Sequence, residues 1–253
     1  MAANTDRTPS QVIWADAPIS EIMEDPCKGN YFFTDFNGGL ASASNADWIF
    51  DGDTGVTLLP TSTDFGEAQI AGNDADNDGH VLYRPGGVAR FSGSDRIWFE
   101  ARIKKASIAD NAMAFFVGLY GFVTAYPTAA ATLQADDGDP DASEDFVGFN
   151  CLTADGDVVE CIFQEGGATL VNQGDMSTAI VADTYFKVGI TYKDNVCKWW
   201  LNGQVVQSVD ITDATDFPDA NHMIPLWASI TGAAAASTMQ ADWVRICGVG
   251  GNT

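Results

Sequence analysis

Hydrophobic and polar positions alternate with a period of two over long parts of this chain. Ile97, Phe99, Ala101 and Ile103 alternate with Trp98, Glu100, Arg102 and Lys104, the spacing of a half-buried β-strand. Phe186, Val188, Ile190 and Tyr192 alternate in the same way with Lys187, Gly189, Thr191 and Lys193. Asp194-Asn195 and Asn202-Gly203 then set off two further apolar runs, 196–201 and 204–209, so the pattern predicts a meander of strands joined by tight turns. Parity places the neighbours Trp199 and Trp200 on opposite faces of their strand. Residues 112–122 are apolar on both parities, as in a strand covered on both sides. Residues 146–163 read as a hairpin turning at Asp155-Gly156, and 223–230 and 238–249 supply two closing strands. No long amphipathic helix is predicted, because the small-residue run 233–236 is too short to nucleate one in water.

Ahead of Arg90 the pattern is more broken. Tyr31-Phe32-Phe33, Trp48-Ile49-Phe50, Val56-Thr57-Leu58-Leu59 and His80-Val81-Leu82-Tyr83 are short apolar segments set off by Gly, Asn or Asp, which suits short strands joined by turns. Residues 1–30 lack sustained periodicity and mix Pro9, Pro18 and Pro26 with the isolated apolar anchors Val12, Ile13, Trp14, Ile19, Ile22 and Met23. They read as an extended N-terminal arm whose apolar side chains dock either on its own domain or on a neighbouring molecule. The expected organisation is this arm, 1–30, followed by one all-β domain, an antiparallel β-sandwich spanning 31–253. The segment 125–145, small residues followed by an acidic run, is expected to be a long exposed loop.

Composition supports a folded domain and narrows its partners. Of the 253 residues 46% are hydrophobic and 11% aromatic, enough for a core. Asp and Glu number 35 against 12 Lys and Arg, and a net charge of -23 repels polyanions, so nucleic acid is not an expected partner. The N-terminus has no apolar export segment and no stretch of the chain is apolar for the length of a membrane span. Synthesis in the cytosol without membrane insertion follows as an expectation. The cysteines Cys27, Cys151, Cys161, Cys197 and Cys247 are odd in number and form no C-x-x-C pair, which predicts free, buried thiols. A two-residue turn at Asp155-Gly156 would put Cys151 and Cys161 on opposite faces of their hairpin.

Candidate chemistry is sparse. There is no G-x-S-x-G elbow, and His80 and His222 both lie in turn-like surroundings that predict solvated or capping roles. Asp74, Asp76 and Asp78 alternate on a loop ending at Gly79 and offer the hard oxygen ligands that calcium prefers. The twelfth position of that loop is Pro85 rather than the Glu of an EF-hand, so the alternative is an acidic surface turn. Asp136, Asp137, Asp139 and Asp141 are a weaker cluster of the same kind. Trp199, Trp200, Trp227 and Trp243 could serve as sugar-stacking platforms or as core.

The run YFKVGITYKDNVCKWWLNGQVVQSVDI, then MIPLWASITG, then MQADWVRI resembles the C-terminal half of concanavalin A-like, laminin G-like jelly rolls. The matching features are the Asn202-Gly203 turn after an aromatic strand and the closing Asp242-Trp243-Val244-Arg245, and the resemblance covers about 90–249. It implies a jelly-roll fold that hosts lectins, glycosidases and structural modules alike. A glucanase of that fold would be expected to show a Glu-x-Asp-x-x-Glu strand motif. No Glu here starts one, and Glu100 is followed by no acid before Asp110, so the chain reads as non-enzymatic. A second resemblance is one of arrangement: an acidic protein with a Pro-containing arm ahead of a jelly roll is similar to the decoration proteins of tailed-phage capsids. The leading expectation is therefore a structural virion protein, a homo-oligomer held by its arm and sandwich edges on the major capsid protein or another virion protein. A carbohydrate-binding, lectin-like module recognising a surface glycan, with or without calcium, is the alternative. A glycoside hydrolase ranks last.

Overall fold

The computed structural model describes residues 6–36, 48–53, 57–60, 66–71, 77–88, 90–110, 112–121, 133, 139–175, 179–232 and 238–250. Alternation of apolar and polar residues becomes strand nearly everywhere it was expected. In chain order these are β1 (Asn30–Thr34), β2 (Ile49–Gly52), β3 (Thr57–Pro60), β4 (Ala68–Ala71) and β5 (Gly79–Tyr83). The longer strands β6 (Arg96–Lys105), β7 (Met113–Gly121) and β8 (Phe146–Cys151) follow, then β9 (Glu160–Gln164) and β10 (Val171–Asp175). The meander β11 (Phe186–Lys193), β12 (Val196–Leu201), β13 (Gln204–Asp210) and the closing strands β14 (Met223–Thr231) and β15 (Thr238–Val249) complete the set.

These strands form two antiparallel sheets, a sandwich of the jelly-roll kind. One sheet runs β13-β12-β11-β6-β15-β4-β3, with β1 added on β15 to make eight strands among the described residues. The other runs β10-β9-β8-β7-β14-β5-β2, seven strands. The order follows from turn chemistry. Asp194 and Asn195 (φ 52° and 61°) and Asn202 and Gly203 (φ 50° and 79°) all adopt the left-handed conformation that two-residue hairpin turns require. β15 is flanked by β6 on one side and by β4 and then β1 on the other.

The main core lies between the sheets, where the odd parity of β6 (Ile97, Phe99, Ala101, Ile103) meets Phe115, Val117, Phe149 and Trp199. Trp199 is fully buried and donates its Nε1–H to Gly148 O at 2.9 Å, while Trp200 on the opposite parity is only half-buried. Two expectations need correction here. The β8–β9 hairpin pairs Phe149 with Cys161 and Asn150 with Glu160. Its connection is longer than a two-residue turn, and the one-residue slip in register turns Cys151 and Cys161 onto the same inner face. Both are free thiols, as are Cys27, Cys197 and Cys247, and Cys27 is the exposed one. His80 is not solvated: β5 carries it into the core against Phe50 and Trp227, with Ser229 Oγ 3.0 Å from Nε2. Lys105 is likewise buried and donates to Gly156 O at 3.0 Å, pinning the β8–β9 connection to the end of β6. Its burial pushes the amine below the usual lysine range.

The outer face of the seven-stranded sheet is also apolar and buried: Phe116, Tyr120, Phe146, Ile162, Ile224 and Leu226 belong to a second cluster that includes Leu133. The paired glycines Gly118 and Gly148 leave a trough on this face that the Phe116 ring fills, since a Cβ on Gly148 would lie 2.5 Å from that ring. The expected exposed loop at 125–145 is thus partly inside: Leu133, Pro140 and Asp145 are buried, and Leu133 bridges to Pro140, while 122–132 and 134–138 lie outside the described residues. The arm is not extended throughout. It turns at 11–16, forms one short helix, α1 (Ile19–Glu24), and a 3-10 turn at Pro26–Lys28, before entering β1.

Burial holds the His80 pKa down to about 3, against 6.5 when unperturbed. The unfolded chain therefore takes up this proton first, so stability is complete above about pH 6.5 and is lost as pH falls from there toward 3, by about 1.4 kcal/mol per pH unit. In urea titrations across that window the wild type should lose stability more steeply than His80→Gln by about that slope. Parallel profiles would contradict it.

Candidate functional site

Even parity sends Trp98, Glu100 and Arg102 of β6 to the outer face of the eight-stranded sheet, where a solvated strand would keep them wet. A bulge in β15 between Ala241 and Trp243 lets Ala241 and Val244, three residues apart, both face the core. It also turns Asp242 outward beside Arg102. The arm crosses this face and removes it from water. Glu100 becomes fully buried and accepts from three donors of the arm: Ser10 N, shared by both carboxylate oxygens (3.0 and 3.2 Å), Ser10 Oγ (2.5 Å) and Trp14 Nε1 (2.7 Å). Asp242, also fully buried, is bridged by Arg102 Nη1 at 2.5 Å and by Arg7 of the arm. Arg245 lies over the Trp14 ring at 4.1 Å, and Lys187 Nζ donates to Thr8 O at 3.0 Å.

Ile13, Trp14 and Ile22 pack with Trp98 and Cys247 beneath this polar frame, and Ile13 sits against the side-chain gap at Gly189. Of the six apolar anchors expected to dock on a capsid, those three are buried on the chain's own sheet and Ile19 packs against the same cluster. Val12 and Met23, 64% and 72% exposed, remain at the surface.

Between the arm's turn and the β11–β12 hairpin the covering is incomplete, and a groove of about 360 Å³ opens, within the size range of small-molecule sites. Val12, Ile13 and Asp16 form its arm-side wall. Thr191, Lys193 and Asp194 come from β11 and its turn, and Lys198 and Trp200 from β12. Trp200 Nε1 donates to Thr191 Oγ1 at 2.9 Å, which fixes the indole across the hairpin. Asp16 accepts from Trp98 Nε1 at 2.9 Å and from Lys193 Nζ at 3.1 Å. Burial alone would raise the Asp16 carboxyl, but the hydrogen bonds of Trp98 and Lys193 outweigh it and hold the group below the usual carboxylate range. The groove therefore joins a fixed aromatic surface to acceptors, donors and a hydroxyl.

A second polar group closes one end of the seven-stranded sheet. Tyr120 donates its hydroxyl to Glu144 Oε2 at 2.5 Å, and Asp145 accepts from Asn221 Nδ2 at 2.5 Å and from Gly166 N at 2.7 Å. Desolvation first, and Glu144 after it, push the Tyr120 phenol well above its ordinary range. Asn150 is buried on the same face as Phe146 and Gly148, with Nδ2 3.4 Å from Asp139 Oδ1. Of the weaker acidic cluster, Asp139 thus lies beside Asn150 near the end of β8, Asp141 accepts through its carbonyl from Gln164, which pairs with Phe146 at the start of β8, and Asp136 and Asp137 fall outside the described residues. Of the calcium loop, Asp74 and Asp76 also lie outside them, while the Asp78 backbone is held by Thr231. Among the described residues no group of three or more His, Cys, Asp or Glu side chains is placed to hold a metal ion.

Trp200 is one of the four tryptophans that the sequence offered as platform or core, while Asp16, Lys193 and Lys198 were not among its candidates. Their signal is present, since Lys198 and Trp200 share one face of β12 and Thr191 and Lys193 the same face of β11. What the alternation does not reveal is which of these polar positions the arm covers.

No family model and no curated protein matches the chain. Solved structures do. A glycoside hydrolase family 16 enzyme from Bacteroides ovatus, in complex with a mixed-linkage glucan product, aligns at 12% identity over 85% of this chain and 99% of its own, with a TM-score of 0.57. The potassium-bound carbohydrate recognition domain of Emp46p aligns at 9% identity over 84% and 94%, with a TM-score of 0.58. A protein of unknown function from Shewanella oneidensis MR-1 aligns at 15% identity over 91% and 93%, with a TM-score of 0.56. These likenesses establish the concanavalin A-like jelly roll. They also correct the expectation that the chain is non-enzymatic, because the same fold at nearly full length carries glycanase chemistry in the B. ovatus enzyme. The capsid reading finds no support among them.

Replacing Asp242 by Ala leaves the buried Arg102 guanidinium without its carboxylate, and should destabilise the fold by about 3–5 kcal/mol in urea unfolding. Lys193→Ala breaks only the half-exposed pair with Asp16 and should cost under about 1 kcal/mol. Equal losses for the two would refute the distinction between frame and groove.

Proposed function

We propose that this protein is a carbohydrate-binding jelly roll that takes a glycan in the groove between the arm and the β11–β12 hairpin. The observation that carries the reading is the Trp200 ring, fixed by Thr191 and flanked by Lys193, Lys198 and Asp16 in an open groove. Pyranose rings present an apolar C–H face and a rim of hydroxyls. An aromatic wall beside convergent donors and acceptors answers both. The fold supports the reading, because its solved neighbours include a carbohydrate recognition domain and a glucanase with bound product.

Hydrolysis is the second reading, and one observation favours it. Glu144 and Asp145 stand at the start of β8, where the Tyr120 hydroxyl donates to Glu144. Along β8 itself the outward positions are Phe146, Gly148 and Asn150, so these two acids would have to supply the chemistry. A decorating role on a capsid has no comparable observation behind it, since Ile13, Trp14 and Ile22 face inward.

A glycan array run with and without chelator, followed by titration of the hits, tests the proposal. Trp200→Ala should weaken binding at least about tenfold while Glu144→Gln leaves it unchanged. Binding should also survive chelation, because among the described residues no group of side chains is placed to hold a metal ion. An array without hits in either condition would overturn the reading. Sugar release from mixed-linkage glucan that disappears in Glu144→Gln would move the function to hydrolysis.

A further inference from the structure

The groove has one wall from the sandwich and one from the arm, and the arm is held by a different set of bonds from those that build the sheets. Glu100 has no solvent access and accepts from three donors of the arm, Ser10 N, Ser10 Oγ and Trp14 Nε1. Trp14 lies two residues before Asp16, in the same turn. The Glu100 latch therefore sets where the Asp16 carboxylate stands relative to Trp200. Asp16 is itself about half exposed, as is its partner Lys193. A pair in that setting is weakly held, so a ligand hydroxyl can share either member at little loss.

The polar lining is balanced in sign. Asp16 and Asp194 face Lys193 and Lys198, and the Thr191 hydroxyl, which accepts from Trp200 Nε1, keeps its own proton to donate. An anionic sugar would meet two carboxylates here, on a chain of net charge -23, and a cationic one would meet two ammonium groups. A neutral sugar finds acceptors and donors side by side, which is what adjacent hydroxyls need.

We propose that the groove selects a neutral, hydroxyl-rich sugar residue packed on Trp200, and that the arm's Asp16, held in place by the buried Glu100 latch, is the acceptor that determines this selectivity. The inference rests on the glycan-binding reading above and adds the ligand class and the role of the arm. Glu100 and Trp14 act as positioning residues, since neither lines the groove, and Asp16 contacts the ligand.

The test compares neutral, uronic-acid and amino-sugar oligosaccharides of equal length on the full chain. The wild type should bind the neutral series at least about tenfold more tightly than either charged series. Asp16→Asn should lower affinity for the neutral series about tenfold and narrow the preference. Trp14→Phe keeps a ring against Arg245 but removes the Nε1 donor to Glu100. It should speed hydrogen exchange over residues 11–16 and weaken neutral-sugar binding several-fold, with exchange in β6 and β11 unchanged. Met23→Ser, at an exposed arm position outside the groove, should alter neither exchange nor affinity. Tighter binding of a charged series would overturn the proposal, and so would a Trp14→Phe arm that exchanges faster while affinity holds. Should Trp14→Phe unfold the domain, Ser10→Ala takes its place with the same expected outcome. A wild type that binds no oligosaccharide removes the glycan reading itself, and the proposal falls with it.

Discussion

Glu100 and Asp242 bring two carboxylates to the outward side of the eight-stranded sheet at positions closed to solvent. A carboxylate withdrawn from water is tolerated only where hydrogen bonds and opposite charge replace the water, and an isolated one would cost several kcal/mol. Here most of the replacements come from the arm: Ser10 and Trp14 for Glu100, and Arg7 beside Arg102 for Asp242. The arm, the sheet face and the groove are consequently one construction. Trp98 supports both the apolar cluster under the arm and the Asp16 carboxylate at its rim.

The two outer faces of the sandwich have been treated differently. On the seven-stranded sheet, Phe116 occupies the trough over Gly118 and Gly148, and Phe146, Tyr120 and Leu133 complete an apolar cover. Among the described residues, the polar groups on that side include Tyr120, Glu144 and Asp145 at one end and Asn150 beside Asp139 at the other. On the eight-stranded sheet the cover combines an apolar cluster with a polar frame and is partial, and its gap is lined by an indole and by charged side chains in balance. Likeness in fold to lectins and glucanases accounts for the scaffold, while the placement of the groove comes from this chain's own arm.

Most of the fold was legible in the sequence. Period-two alternation gave β6 and β11, and the Asp194-Asn195 and Asn202-Gly203 pairs set off β12 and β13, because both signals are local. The β8–β9 register was not, since Asp155-Gly156 suggested a shorter connection than the one Lys105 pins in place. His80 looked solvated because its neighbours Asp78 and Gly79 are turn formers, yet β14 pairs with β5 and draws it inside. Glu100 stood on the polar parity of an amphipathic strand, the face that such a strand ordinarily turns to water. Only a long-range contact, arm on sheet, shows that it is buried, and such contacts leave no periodic trace. Parity separated Trp199 from Trp200 without saying which is core, and Asp16 was one acid among many until the fold set it beside Trp98.

On the proposed reading, the arm is part of a recognition site rather than a tether. A jelly roll with a sealed apolar face on one side and a balanced, aromatic groove on the other should engage its ligand on one side only. Amide chemical-shift mapping during titration with a neutral oligosaccharide tests this most directly. Shifts concentrated at Asp16, Thr191, Lys193, Lys198 and Trp200 are the predicted result. Shifts concentrated at Phe116, Phe146, Asn150 and Leu226, on the outer face of the seven-stranded sheet, would contradict it.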